Sequence, residues 1–78
     1  MGYYEHDGVL IDVSVLSDGV DGSEGWVVEF WDLTPEGDGE LVHVRFDASG
    51  HATVDRLSKS VDDDFVAWAL SVARSELE

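Results

Sequence analysis

Residues 8–16 read GVLIDVSVL, and this stretch decides the fold class. Branched apolar residues hold every second position from Val9 to Val15, while Asp12 and Ser14 stand between them. Successive side chains of a β-strand point to opposite faces of a sheet, so strict alternation indicates a strand with one face in the core. The stretch therefore predicts a sheet that buries one of its faces.

Three more strand-like stretches follow, at residues 26–33, 40–47 and 51–57. The residues between them carry turn signals, which are Pro and Gly in 34–39 and the run Asp-Ala-Ser-Gly in 47–50, typical of a type I hairpin turn. Residues 17–25 hold three Gly among acidic residues and are predicted to form a polar loop. Short connections favour antiparallel neighbours in the sheet.

The remaining residues predict one helix. Ser60 is the expected N-cap, and Asp63 stands three residues later, close to the pattern of a capping box. Apolar residues then recur at helical spacing, and Phe65 and Trp68 are expected to anchor the helix on the sheet. Residues 1–78 are therefore predicted to form one small α+β domain, an antiparallel four-stranded β-meander (β-β-β-β-α) with its C-terminal helix packed on one face.

The alternation also sorts the strand residues into two faces. The face predicted to lie under the helix consists of Val9, Ile11, Val13, Val15, Val28, Phe30, Val42, Val44, Phe46 and Val54. The opposite face is predicted to hold Leu10, Leu16, Val27, Trp31, Leu33, Leu41 and Leu57 among Asp12, Glu29, His43, Arg45 and Asp55. One helix covers one face, and an apolar group of this size left exposed usually marks an interface, here with Trp31 as its anchor. Two alternatives stay open: the N-terminal segment with Tyr3 and Tyr4 folds over this face, or a twisted sheet closes on itself.

The charge of the chain points to the class of partner. Eighteen Asp and Glu face four Lys and Arg, which gives a net charge of -14, yet 44% of the residues are hydrophobic, enough for a folded domain. Such a surface repels nucleic acid and anionic membranes and attracts basic protein surfaces. We expect the partner to be a basic protein surface of a nucleic-acid-binding enzyme or effector complex, with no direct binding of nucleic acid or membrane.

Catalytic and metal-binding patterns are weak in this sequence. The chain has no Cys, and its three His residues do not have the spacing of a zinc site. Residues 18–24 superficially resemble a calcium loop, but Val20 and Gly22 stand where oxygen ligands are needed. No phosphate-binding loop or nucleophile elbow is present in the sequence. We therefore expect no enzymatic activity, no cofactor and no metal ion.

The sequence also bears on the compartment. The segment after Met1 lacks the apolar run of a signal peptide, and the longest apolar run, residues 65–70, is short for a membrane span. We expect a cytoplasmic protein.

The candidate partner-binding residues combine one aromatic anchor with acidic side chains: Trp31, Glu29, Asp12, Glu36, Asp38, Glu40, Asp62, Asp63 and Asp64. Carboxylates two apart on a strand, as at positions 36, 38 and 40, would recur at roughly 6.6 Å along one side. The acidic run at 62–64 adds a second dense patch, although carboxylates at a helix start also serve capping and the helix dipole.

In general character the chain resembles phage anti-CRISPR proteins, bacterial immunity proteins and other DNA mimics, which are small, acidic and without a catalytic motif. The resemblance implies an inhibitor that occupies the basic site of a nucleic-acid-binding protein. A second hypothesis is adaptation to a salt-rich cytoplasm, with the apolar sheet face serving as the interface of a homodimer or of an accessory domain. A third is a small-ligand-binding module with Trp31 or Trp26 lining a pocket.

Overall fold

The structure is a computed structural model, and residues 2–17 and 25–77 are described in it. The described elements are β1 (Gly2–His6), β2 (Val9–Ser17), β3 (Trp26–Asp32), β4 (Glu40–Phe46), β5 (Ala52–Arg56) and α1 (Asp63–Glu76). The strands form one antiparallel sheet in the order β1-β2-β3-β4-β5. The predicted α+β meander with a C-terminal helix is confirmed, but the sheet has five strands where four were predicted. Most of the loop predicted at 17–25, and with it the calcium-like stretch 18–24, lies outside the described residues.

The additional strand is β1, which the sequence analysis treated as a polar N-terminal segment. It pairs with β2 through a tight turn in which Asp7 and Gly8 both have positive φ, at 51° and 81°. This is the backbone of a type I′ hairpin turn, for which Asp-Gly is a favoured sequence. The N-terminal segment therefore extends the sheet at its edge, and the alternative in which it folds over the opposite face is wrong.

The core lies between the sheet and α1, as the alternation predicted. Its largest fully buried side chains are Phe30, Ile11, Val13, Val28, Val42 and Val44. Phe65 and Trp68 of α1 stand edge-on to Phe30, at 6.5 and 5.8 Å between ring centroids, so the helix is anchored where predicted. Tyr4 and His6 of β1 extend this aromatic cluster, since the His6 ring lies 4.4 Å from that of Trp68.

A register shift in β4 changes the assignment of one residue. Phe30 pairs with Val42 but Trp31 pairs with Glu40, so Leu41 is an extra residue in the ladder between β3 and β4. Such a bulge turns two successive side chains towards the same side. Leu41 is accordingly buried in the core, at 6% exposure, and its predicted place on the opposite face is wrong.

The helix begins two residues later than the sequence suggested. Asp62 is the N-cap, and its Oδ1 accepts a hydrogen bond of 2.8 Å from the backbone N–H of Phe65. Ser60, the predicted N-cap, instead donates its hydroxyl to Asp38 at 2.6 Å in the loop before the helix. Asp63 and Asp64 lie in the first turn and Arg74 in the last, an arrangement that the helix dipole favours at both ends.

Candidate protein-docking surface

The candidate site is the sheet face opposite α1, which we call the open face. Strand pairing places three rows across it: Tyr3, Asp12, Trp31 and Glu40; then Ser14, Glu29, His43 and Asp55; then Leu16, Val27, Arg45 and Thr53. Within residues 2–17 and 25–77 no segment closes over this face, since Tyr3 is 70% exposed and Leu10 and Leu16 are each 47% exposed. The alternative of a sheet that closes on itself is therefore wrong for the described part of the chain.

Trp31 lies in the row of the open face nearest to the β3–β4 turn. It belongs to a central strand, it is 37% exposed, and its indole N–H points to Oε1 of Glu29 at 3.4 Å. Asp12 and Glu40 are its partners on the two neighbouring strands, so the ring has an acidic side chain on either side. A half-exposed Trp surrounded in this way has the composition of an interface anchor.

One side of the open face holds an internally compensated group of charges. Asp55 accepts hydrogen bonds from His43 at 2.8 Å and from Arg45 at 3.0 Å. Partial burial acts to raise the pKa of Asp55, but the hydrogen bond from His43 and the positive charge of Arg45 outweigh it, and the pKa lies below its usual value. This group is therefore held together by the Arg45–Asp55 ion pair and the His43–Asp55 hydrogen bond.

The neighbouring carboxylates of Glu29 and Glu40 are not compensated in this way. The Glu40 side chain is 23% exposed, and its Oε2 is shielded from solvent without a hydrogen-bond partner among the described residues. Burial and then the negative charge of Glu29 raise the pKa of Glu40, and His43, whose Nδ1 lies 3.7 Å from Oε2, opposes this only in part. Two acidic side chains thus share a half-buried position beside Trp31 without a full positive partner.

The other predicted acidic residues lie outside the three rows of the open face, in the β3–β4 turn and at the start of α1. Asp38 accepts hydrogen bonds from the hydroxyls of Ser60 and Ser58, and these bonds lower its pKa. Asp62 caps the helix, Asp63 pairs with Arg56, and Asp64 and Glu36 are exposed. Residues 36–39 form a turn, so the regular carboxylate spacing predicted for Glu36, Asp38 and Glu40 along one strand is wrong.

Four of the candidate binding residues predicted from the sequence are therefore brought together by the fold: Trp31, Asp12, Glu29 and Glu40. His43, Arg45 and Asp55 lie on the predicted face, although they were not among the candidate binding residues. Tyr3 was missed because β1 was missed, although the Asp7-Gly8 pair between two short stretches was a signal for that hairpin.

Trp26, the other Trp considered for a pocket, lies on the helix side of the sheet. It borders a groove of about 400 Å³ with Phe46, Arg74 and Leu77, and Arg74 stacks over the Phe46 ring at 5.5 Å. Trp26 is 47% exposed. The two exposed tryptophans thus stand on opposite sides of the sheet and do not line a common pocket.

Comparison with known proteins gives no match: no family model matches the chain, and no curated protein or solved structure shows significant similarity to it. In residues 2–17 and 25–77, His, Asp and Glu side chains form no group of three or more that could hold a metal ion. The single described helix, α1, is not long and apolar enough to cross a membrane.

Proposed function

We propose that this protein is an acidic inhibitor that docks its open face on a basic surface of a nucleic-acid-binding protein. The observation that carries the proposal is the half-exposed Trp31 on the central strand of an uncovered sheet face, beside the acidic Asp12, Glu29 and Glu40. Apolar area supplies binding free energy, and the carboxylates supply attraction to the surface that otherwise holds phosphates.

Charge favours a basic partner over a second copy of the chain. In a homodimer with Trp31 at its two-fold axis, Asp12, Glu29 and Glu40 of one copy would lie against the same acidic residues of the other. Among the residues described on this face, Arg45 is the one arginine, and it is already paired with Asp55 at 3.0 Å. Like charges brought together across an interface cost several kcal/mol, so face-to-face self-association is disfavoured.

The proposal is tested by affinity capture on the immobilised protein, using purified nucleases and nucleic-acid-binding effector complexes as prey. We expect at least one to be retained, to be displaced by double-stranded DNA, and to lose its nucleic-acid-dependent activity when bound. Trp31→Ala is expected to weaken capture by about 2 kcal/mol or more, which is at least about thirtyfold in Kd. Retention that DNA does not affect would contradict the proposed mode of inhibition.

Two variants separate the loss of a contact from the loss of the fold. Trp26→Ala removes an exposed indole from the other side of the sheet and should leave capture unchanged. Phe30→Ala removes a fully buried ring and should destabilise the domain by about 3–5 kcal/mol, whereas Trp31→Ala should melt close to the unchanged protein. If Trp31→Ala unfolds the protein as badly as Phe30→Ala does, the open face is not an interface.

Folding at low salt distinguishes the proposal from adaptation to a salt-rich cytoplasm. A chain whose acidity serves only such adaptation should be largely unfolded at low ionic strength, because its self-repulsion is then unscreened. We expect a folded monomer at 10 mM salt, measured by circular dichroism and sedimentation. An unfolded chain under these conditions would favour the salt-adaptation hypothesis.

A further inference from the structure

We infer that the open face receives an arginine of the partner, with its guanidinium between the Trp31 ring and the carboxylates of Glu29 and Glu40. The inference rests on the proposed function and deepens it, because it names the partner side chain that Trp31 and its acidic neighbours recognise. The occupant is thus an arginine-bearing protein surface, and charge complementarity at three neighbouring side chains is the basis of the argument.

The first step is that this acidic pair lacks a cation of its own. Among the described residues, Arg45 pairs with Asp55, Arg56 pairs with Asp63, and Arg74 stacks on Phe46 on the helix side of the sheet. The remaining cation, Lys59, lies exposed in the loop before α1. His43 approaches Glu40 only to 3.7 Å, and its other ring nitrogen is already bonded to Asp55 at 2.8 Å.

The second step is that Glu40 has an unused acceptor. Its Oε2 has no hydrogen-bond partner among the described residues, and an acceptor left unpaired away from water costs free energy. The side chain nevertheless keeps 23% of its surface exposed. The terminal torsion of Glu is soft, so a rotation of the carboxyl group presents this oxygen to a donor that arrives from outside.

The third step distinguishes arginine from lysine. Trp31 makes no ring–ring contact with the other aromatic side chains described, and its N–H edge points to Glu29 at 3.4 Å. A planar guanidinium can stack on such an indole and at the same time donate two or more hydrogen bonds to carboxylates. A lysine ammonium is a strongly hydrated point charge and lacks the planar fork, so it uses only part of this arrangement.

The test uses two synthetic peptides of equal charge, Ac-(Gly-Arg)4-NH2 and Ac-(Gly-Lys)4-NH2, titrated into the ¹⁵N-labelled full chain at low salt. We expect the arginine peptide to shift the indole N–H resonance of Trp31, but not those of Trp26 and Trp68, and to bind several-fold more tightly than the lysine peptide. Glu40→Gln should lower the affinity for the arginine peptide by about tenfold, as expected for a lost charge-assisted hydrogen bond. Glu36→Gln removes the same charge from the exposed β3–β4 turn and should change the affinity less than twofold.

The outcomes separate this inference from the proposed function. Equal affinity for the two peptides, or equal losses of affinity in Glu40→Gln and Glu36→Gln, would overturn the arginine site. Shifts of the Trp31 resonance would in that case still support the open face as a surface that binds a basic partner. Shifts confined to residues 36–38 and 62–64 would overturn both the arginine site and the open face. Glu29→Gln should also lower the affinity for the arginine peptide more than that for the lysine peptide. This second variant keeps the test decisive if Glu40→Gln disturbs the sheet.

Discussion

At the scale of single residues, Glu40 is an acidic side chain whose surroundings in the fold disfavour its charged form. Burial and the charge of Glu29 raise its pKa above the ordinary value of 4.5. An acid with a raised pKa binds its proton more tightly in the folded chain than in the unfolded one. Its contribution to stability is therefore fully present below the unfolded pKa and is lost as the pH rises through the raised value. When it is ionised, Glu40 opposes folding, because burial and the charge of Glu29 disfavour its charged form.

Glu40→Gln is accordingly expected to increase the free energy of unfolding at pH 7 by about 0.5–1 kcal/mol, the size of a cross-strand charge effect. The gain should shrink towards zero at pH 4, where Glu40 of the unchanged chain holds its proton. Urea unfolding of both chains at the two pH values measures the difference, and Glu36→Gln controls for the general loss of one negative charge. A gain that is the same at both pH values would contradict this account. Greater stability combined with weaker binding of arginine would mark Glu40 as a residue kept for its partner.

Leu41 shows where a local sequence pattern stops predicting the position of a side chain. Alternation placed Leu41 on the open face, and it would be there if β4 were regular, but the register shift beside Phe30 and Trp31 turns it into the core. A bulge depends on pairing with a neighbouring strand, and no residue of β4 signals it in advance. The side chains that were predicted to lie under the helix are all buried or packed against the core, because the two-residue period of a strand is a local property.

At the scale of secondary-structure elements, the start of α1 was misplaced because three candidate caps stand close together. Ser60, Asp62 and Asp63 all have side chains that can cap a helix. The choice depends on where Val61 and Phe65 enter the core, at 8% and 9% exposure, and this is a tertiary constraint. Burial of these two apolar residues leaves Asp62 as the residue whose carboxylate reaches the N–H of Phe65.

Asp62→Ala should therefore lower the free energy of unfolding by about 1 kcal/mol, the usual value for loss of an N-cap. Ser60→Ala loses only exposed hydrogen bonds in the preceding loop and should cost less than about 0.5 kcal/mol. Thermal melting of the two variants measures the contrast, and a domain of this size shifts by roughly 4–8 °C per kcal/mol. A larger loss of stability in Ser60→Ala than in Asp62→Ala would indicate that Ser60 is the N-cap, as the sequence alone suggested.

The edge strand β1 was missed for a different reason. Its residues are polar by type, but Tyr4 and His6 carry rings that pack on Trp68, at 6.2 and 4.4 Å between centroids. The hydroxyl of Tyr4 also donates to Glu76 near the end of α1. Composition counts such residues as surface, whereas amphipathic side chains bury their rings and keep a polar group in contact with water or a partner.

At the scale of the whole molecule, the charge of -14 acts on two levels. The general field of the carboxylates attracts a basic partner from a distance and is screened over about 10 Å at 0.1 M salt. The residues of the open face act only after contact. The sign and size of the charge could be predicted from composition. The division of the acidic residues between the open face and the loops beside it could not, because it depends on which loops meet at which end of the sheet.

This division yields a kinetic prediction for the acidic residues at the start of α1. Replacing Asp62, Asp63 and Asp64 together by Asn removes three charges, and Asn at position 62 still caps the helix, so stability should change little. These residues lie outside the rows of the open face, and their loss should slow association with a captured partner while leaving the dissociation rate within about twofold. Trp31→Ala should do the reverse, with faster dissociation and nearly unchanged association.

Surface plasmon resonance at 50 and 150 mM salt measures both rates. The association rate of the unchanged protein should fall as salt rises, and the association rate of the triple variant should fall less steeply. If the triple variant instead dissociates several-fold faster, the helix start is itself in contact with the partner, and the interface extends around the end of the sheet.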